Sequence, residues 1–558
     1  MDAKTATEDD AGPSATRPPG RPSTLAVALI LALTPAITAV WWHRGFTTQD
    51  GSAHLYNAHV LARSAGPDAE PTFTRTFRVR REPLPNWAGH LVLMFLSETL
   101  PSREADRAMA TITLLAPALA VVGLRARTTP GRGRAGSALL ASLLALNVAW
   151  LLGFSGFLLG ASLFPATLEF WWAGRDEGWS LRHACGLAAL LVLGYFCHLV
   201  SLGLTAAALV LLDVFTPGRS RTGRAATTLL GLTPLAPLAI LYSQIMRRGG
   251  GGLAPEWKHL AGVTSPKAWA DQLTWVDPIS LAAKDYLPVV GTLERWHLAA
   301  APVLWLGLAM ALLIGATLAA GEGPFQPSGR PRRGWWAIAA VFLLAGTLSP
   351  DTLGPTHGEY LPQRIVLLGL MALVPVLRLD APGRAGKLGL AALAVAWVAQ
   401  CATVWDYARL SERTAGPMFQ AERFVEQGQR IATRLTDLRS PFRASPLLHA
   451  DCALGVDTGN IIWSDYETRF YYFPVQFRDG LDFRPDPEVM ERIALAQPSS
   501  SERATLWADL LRRHRRRIEV VVSYGNDPPL DAITLRWYRP LLGTGPVRVW
   551  RRREEPPR

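Results

Sequence analysis

Runs of roughly 16 to 22 residues that lack charge except near their ends constrain this chain more than any other feature. A run of that length can cross a hydrocarbon layer as a helix, which satisfies all its own backbone hydrogen bonds without water. Eleven such runs fall at 24–42, 105–124, 137–152, 158–174, 183–197, 200–215, 225–246, 298–320, 334–349, 362–378 and 388–405. The bulk numbers agree, with 49% hydrophobic residues, only 18% charged and 20 Trp in 558 residues. The expected fold class is therefore mainly α, a polytopic transmembrane helical bundle of about 11 spans.

Charge placement sets the expected orientation. The net charge is +12, yet the Arg residues cluster in short loops between apolar runs and are not interleaved with aromatics on one face. That pattern suits cytoplasmic loops and argues against nucleic acid as a partner. With the N-terminus inside, the clusters Arg125 to Arg134, Arg219 to Arg224, Arg330 to Arg333 and Arg378 to Lys387 all fall on the cytoplasmic side, while the pair Arg247 and Arg248 dissents. Residues 1–23, polar and rich in Pro, Ala and Thr, read as a disordered cytoplasmic tail, and 24–42 as an uncleaved first helix. The shorter apolar stretch 87–100 reads as a half-inserted or interfacial helix. Cys185, Cys197 and Cys401 lie in or beside apolar runs and Cys452 stands alone in a polar region, so no disulfide framework is expected.

This topology leaves 43–104, 247–297, 350–361 and everything after Trp405 outside the cytoplasm. Beyond Trp405 charges become frequent, helical patterns at 411–438 and 502–515 alternate with strand-like runs at 445–449 and 518–524, and the expectation is a C-terminal extracytoplasmic α/β domain over 406–558.

The first external loop, Thr47-Thr48-Gln49-Asp50-Gly51-Ser52-Ala53-His54, carries the sharpest chemistry. Asp50 and His54, spaced i and i+4, fall on one helical face, where the pair can accept a proton from a hydroxyl or hold a divalent cation. The plainer alternative is that Asp50 caps a helix beginning at Gly51 and His54 faces the headgroups.

A first membrane helix followed at once by a loop with an early Asp, then a Pro-containing element and an apolar half-helix, resembles the GT-C-type membrane glycosyltransferases that use polyprenyl-phosphate sugars. The matching pieces are Gln49-Asp50-Gly51, Arg81-Glu82-Pro83-Leu84-Pro85-Asn86-Trp87 and Ser102-Arg103-Glu104-Ala105-Asp106-Arg107. The chain departs from the aspartate-pair and Pro-Pro forms of the better-known branches, because Ser52 and Ala53 follow Asp50 and Leu84 separates the prolines. The resemblance implies that Asp50 is the catalytic base or acceptor-orienting group.

Other external segments supply further candidates. Arg364, at the start of a span and preceded by His357, Glu359 and Tyr360, is placed to bind a lipid phosphate, since an intramembrane guanidinium needs an anionic partner. A structural pair with Glu359 or Asp351, or snorkelling to the interface, is the alternative. His198, between two tightly joined spans, reads as a satisfied bundle histidine. Trp257, Trp275 and Trp296 with Lys258 and Lys284 read as an interfacial belt, and Asp277 as a second acid or a turn residue before Pro278. The polar-aromatic stretch from His449 and Asp451 through Trp463, Asp465, Tyr466, Glu467 and Arg469 reads as an acceptor-recognition surface or as domain packing.

No zinc spacing, phosphate-binding glycine loop or Ser-His-Asp motif is present. The expected activity is transfer of a sugar from a polyprenyl-phosphate-linked donor to a hydroxyl on a glycan, lipid or protein acceptor at the outer face of a bacterial cell membrane. In it Asp50 acts on the hydroxyl, His54 assists or binds a divalent metal, and Arg364 meets the departing phosphate. A transporter or flippase of a lipid-linked substrate, and a non-catalytic envelope-assembly scaffold, are the alternatives; neither inverted halves nor a mid-helix acid favours the first.

Overall fold

The computed structural model describes residues 24–553 apart from 65–68, 131–132, 218–220, 250, 261–262, 283–301, 355–357, 381–382, 482–484 and 498–499. His357, Lys284, Trp296 and the tail 1–23 therefore lie outside the described residues.

Most apolar runs form the helices expected of them, including Thr24–Trp42, Ser102–Thr128, Ser155–Gly174, Leu181–Cys197, Leu199–Phe215, Arg333–Leu348 and Leu361–Leu373. Two runs are broken, and each break has a local cause. The run 137–152 divides into Arg134–Ala145 and Val148–Leu152 because Asn147 turns its side chain on the backbone, accepting from Trp150 N and donating to Leu144 O. The run 225–246 divides at Thr233 and Pro234, where proline removes a helical donor. Four helical stretches among the described residues have the length and apolarity of a full crossing, Thr24–Trp42, Ser102–Thr128, Gly383–Phe424 and, taken across its break, Arg221–Arg248, and six further apolar helices are shorter. The architecture is a membrane-type helical bundle.

The basic clusters gather at one end of this bundle. Arg134 donates to Thr24 Oγ1, Arg125 Nη1 to Val374 O at 2.8 Å, and Arg332 and Arg378 converge on Glu322 at 2.9 and 3.7 Å. Trp150 and Trp335, both fully buried, fill the core between helices.

The stretch 87–100 is the short helix Trp87–Thr99, as its length requires. The last long helix, Gly383–Gln420, runs past the end of the predicted span and straight into the C-terminal region. That region is α/β, but not with the expected boundaries. The helical pattern read at 411–438 is the tail of this helix, a short 3-10 turn and then strand β2, Arg430–Leu435, buried on both faces from Ile431 to Leu435 with Thr433 and Arg434 included. The run 445–449 is a turn leading into a 3-10 segment, Ala450–Gly455, and not a strand. The helix Ser501–His514 and strand β5, Val520–Tyr524, match the expectation.

With β3 (Ile461–Ile462), β6 (Tyr538–Thr544) and β7 (Val547–Arg552), these strands form one sheet in the order β3-β2-β5-β7-β6, parallel across the first three and antiparallel beyond. A second, two-stranded sheet pairs β1 (Phe77–Val79) with β4 (Val475–Phe477), Phe77 opposite Phe477, and stitches the first external loop to the C-terminal region.

All four cysteines are free, and only Cys185 is exposed. A maleimide should label one thiol per chain in the native protein and four after denaturation, read by intact mass; native labelling of Cys452 would contradict the burial of the 3-10 segment that holds it.

Candidate functional site

Helix Gly51–Arg63 is buried along its whole length from Gly51 to Leu61, wedged between the bundle and the C-terminal region. Two of its polar residues are tolerated there because they meet partners across the seam: Tyr56 donates to Asn460 O at 2.8 Å and Asn57 Nδ2 to Asp465 Oδ1 at 2.8 Å. Asp50 holds the position before the first turn but does not cap it. Its Oδ2 instead accepts from the Tyr466 hydroxyl at 3.1 Å, and Oδ1 lies 3.9 Å from His449 Nε2, whose ring stacks on Tyr466 with centroids 4.4 Å apart.

The turn before Asp50 is clamped onto the end of the broken span. Gln49 N donates to Leu151 O and Asp50 N to Leu152 O, at 3.0 and 3.1 Å. This close approach needs Gly153, which has φ +82°; a Cβ there would meet Thr48 Oγ1 at 2.6 Å.

Three elements distant in sequence then converge. His54 Nδ1 lies 2.5 Å from Glu467 Oε1, and His90 Nε2, from helix Trp87–Thr99, lies 2.7 Å from Glu467 Oε2. The ligand-capable atoms of His54, His90 and Glu467 all lie within 4.8 Å of one another. Each ring is held from behind, His90 Nδ1 by Asn86 O at 3.1 Å and His54 by the backbone of Gly153. That is how proteins fix the tautomer and orientation of metal-binding imidazoles, so this donor set fits a divalent cation.

Electrostatics separate the acids. Burial pushes the Asp50 carboxyl up to about 7, against the opposing pull of His54 and the Tyr466 hydroxyl. Burial would raise Glu467 too, but His90 and His54 outweigh it and hold that carboxyl at about 2. Burial opposes protonation of His54, yet the Glu467 carboxylate prevails and lifts the imidazole to about 9. Glu467 is thus a fixed anion, and Asp50 a carboxylate poised to take a proton near neutrality.

Asp50, His54, His90, Arg364, Tyr360 and Glu359 all line one cavity of about 660 Å³. Arg364 is 7% exposed, so it does not snorkel. Its Nη1 donates to His198 Nε2 at 2.8 Å, its guanidinium sits 4.7 and 5.0 Å from the Phe154 and Phe157 rings, and Nε has no partner. Neither expected structural partner pairs with it: Asp351 accepts from Trp275 Nε1 at 2.9 Å, and Glu359 forms no ion pair among the described residues. Burial and the neighbouring guanidinium hold His198 well below its ordinary pKa, so it is neutral and accepts.

The structure therefore brings together Asp50, His54, Arg364, Glu359 and Tyr360. Asp277 is a turn residue, accepting from Ile279 N and Ser280 N at 2.9 and 3.0 Å. His90 is absent from the sequence reading, and Glu467, Tyr466 and His449 appear there only as part of an aromatic stretch. Their separation from Asp50 in the chain leaves no spacing to recognise.

Replacing Gly153 with Ala should lower stability by about 1 kcal/mol or more, since αL backbone disfavours a Cβ, and should displace the Asp50 turn. Thermal unfolding of the purified protein measures this, and an unchanged midpoint would show that the clamp is slack.

No protein-family model and no curated sequence matches the chain. The fold is similar to two solved structures. The arabinofuranosyltransferase AftD from mycobacteria superposes with a TM-score of 0.50 at 16% identity over 95% of this chain and 40% of that one. ArnT from Cupriavidus metallidurans, solved with undecaprenyl phosphate bound, superposes at 0.50 with 12% identity over 94% of this chain and 97% of its own. The chain thus spans two fifths of the length of AftD. The resemblance to GT-C-type glycosyltransferases, carried in the sequence by the first-loop acid and its flanking elements, extends to the fold of nearly the whole chain.

Proposed function

We propose that the chain is an integral-membrane glycosyltransferase that moves a sugar from a polyprenyl-phosphate-linked donor to a hydroxyl acceptor at the extracytoplasmic face. The observation that carries this reading is the cavity itself, lined both by a carboxyl of near-neutral pKa and by a buried guanidinium that forms no ion pair among the described residues. Leaving such a charge unpaired costs several kcal/mol, which an incoming phosphate would offset. Convergence of the basic clusters at one end of the bundle supports a cytoplasmic location for that end.

In this reading the acceptor hydroxyl gives its proton to Asp50 as its oxygen bonds to the anomeric carbon, and the bond from that carbon to the phosphate oxygen breaks. The lipid phosphate departs carrying the negative charge, which Arg364 meets with two coplanar N–H groups where it develops. Tyr466 holds one Asp50 oxygen, and the other lies 3.9 Å from His449 Nε2. His54, His90 and Glu467 would hold a divalent cation, whose chemistry would be to neutralise anionic oxygens nearby.

The test uses the purified chain in lipid nanodiscs. Undecaprenyl phosphate should bind the native protein, and Arg364→Ala should weaken that binding at least tenfold, as expected for loss of a charge-assisted bidentate contact. Asp50→Asn should retain binding and lose transfer from a panel of undecaprenyl-phosphate sugars by about 100-fold or more. Equal binding by the Arg364 variant, or full transfer by the Asp50 variant, would overturn the assignment.

For the cation, elemental analysis should find about one divalent ion per chain, lost in His90→Ala and on chelation together with activity. A metal-free protein with full activity would show that the cluster holds only protons.

A further inference from the structure

Arg364 shares its cavity with a second charged group. It is more than nine-tenths buried, lines the cavity and leaves Nε without a partner. The lining also includes Glu359, Arg469, Phe470, Tyr472 and Glu491, and Glu359 acts electrostatically on Arg364. Arg469 pairs with Glu491 at 2.9 Å, both side chains about a third exposed, and its guanidinium lies 4.6 Å from the Phe470 ring. Phe470 in turn stacks on Tyr472, with centroids 5.3 Å apart and planes 17° from parallel. Glu359 is exposed and unpaired among the described residues. Two carboxylates and one guanidinium leave this rim with a formal charge of −1. The two carboxylates also feel each other: after burial and the opposing pull of Arg469, Glu359 is among the influences that raise Glu491.

We infer that this rim, Glu359, Arg469 and Glu491 over the Phe470 and Tyr472 rings, is the acceptor subsite, and that it selects an uncharged glycan acceptor over one bearing carboxylate or phosphate. The inference rests on the transferase reading and deepens it. A carboxylate and a guanidinium side by side match the paired donors and acceptors of vicinal sugar hydroxyls, and aromatic rings beside them offer a flat apolar surface to the C–H face of a sugar ring. A phosphorylated or carboxylated acceptor would instead bring an anion against a net negative rim. Discrimination then comes from a repulsive element as much as an attractive one.

The experiment measures saturation-transfer NMR of the full chain in nanodiscs with two probes, a neutral oligosaccharide and the same oligosaccharide ending in a uronic acid. Undecaprenyl phosphate binding is measured on the same samples. The native protein should bind the neutral probe at least tenfold more tightly than the acidic one, an order of magnitude fitting one unscreened like-charge contact. Glu359→Gln and Glu491→Gln should each narrow that ratio, and the double variant should abolish it, while undecaprenyl phosphate binding persists as proof of folding.

Equal or tighter binding of the acidic probe to the native protein overturns the inference, as does a ratio that the rim variants leave untouched. Undecaprenyl phosphate binding without binding of either saccharide also overturns it and leaves the transferase reading standing. Failure to bind undecaprenyl phosphate at all refutes the transferase reading first and the acceptor rim with it.

Discussion

The Glu467 carboxylate, fully buried between two imidazoles, is the interaction on which the rest of the site depends. Removing a carboxylate from water costs several kcal/mol, and only close, well-directed partners offset it. Here those partners are His54 and His90, at 2.5 and 2.7 Å, from two helices 413 and 377 residues earlier in the chain. The ion therefore cannot be stable unless the first-loop helix, helix Trp87–Thr99 and the C-terminal region are docked together. The same seam carries the Tyr56 and Asn57 hydrogen bonds and the β1–β4 pairing. The C-terminal region is consequently part of the candidate site. It supplies Tyr466 to Asp50, Glu467 to the histidines and Arg469 to the cavity rim.

What the sequence could and could not reveal follows from the range of each interaction. Apolar length is a local property, so the helices at 24–42, 102–128 and 181–215 are readable from composition alone. Breaks that depend on one side chain are harder: Asn147 ends a helix inside an apolar run, an effect a hydropathy average erases. The stretch 411–438 fails for the opposite reason, because helix Gly383–Gln420 carries its period past the membrane and hides the change to a parallel strand. Asp50 and Arg364 stand out in the sequence because each is a charge close to an apolar run, and His54 because it follows Asp50 by one helical turn. His90 was not, since a lone histidine in a short apolar helix means something only beside Glu467, and nothing local predicts that neighbour.

Asp50 shows how the fold converts packing into chemistry. Gly51 beside it leaves no room for a side chain, since a Cβ would meet Asp106 Oδ1 at 2.6 Å and Thr48 Oγ1 at 2.7 Å. Gly153 presses on the same turn from the other side. With its backbone clamped by Leu151 and Leu152 and one oxygen held by Tyr466, the carboxyl keeps few degrees of freedom, and its entropy is given up during folding before any substrate arrives.

The burial that fixes Asp50 also raises its affinity for a proton, so a single physical cause yields both geometry and basicity. Arg364 is arranged by the complementary rule. It is buried against two phenyl rings and a neutral imidazole, and no carboxylate among the described residues lies within ion-pair distance of it. A carboxyl and a guanidinium thus line one space, and in the proposed reading each is left incomplete in the way that its substrate would complete.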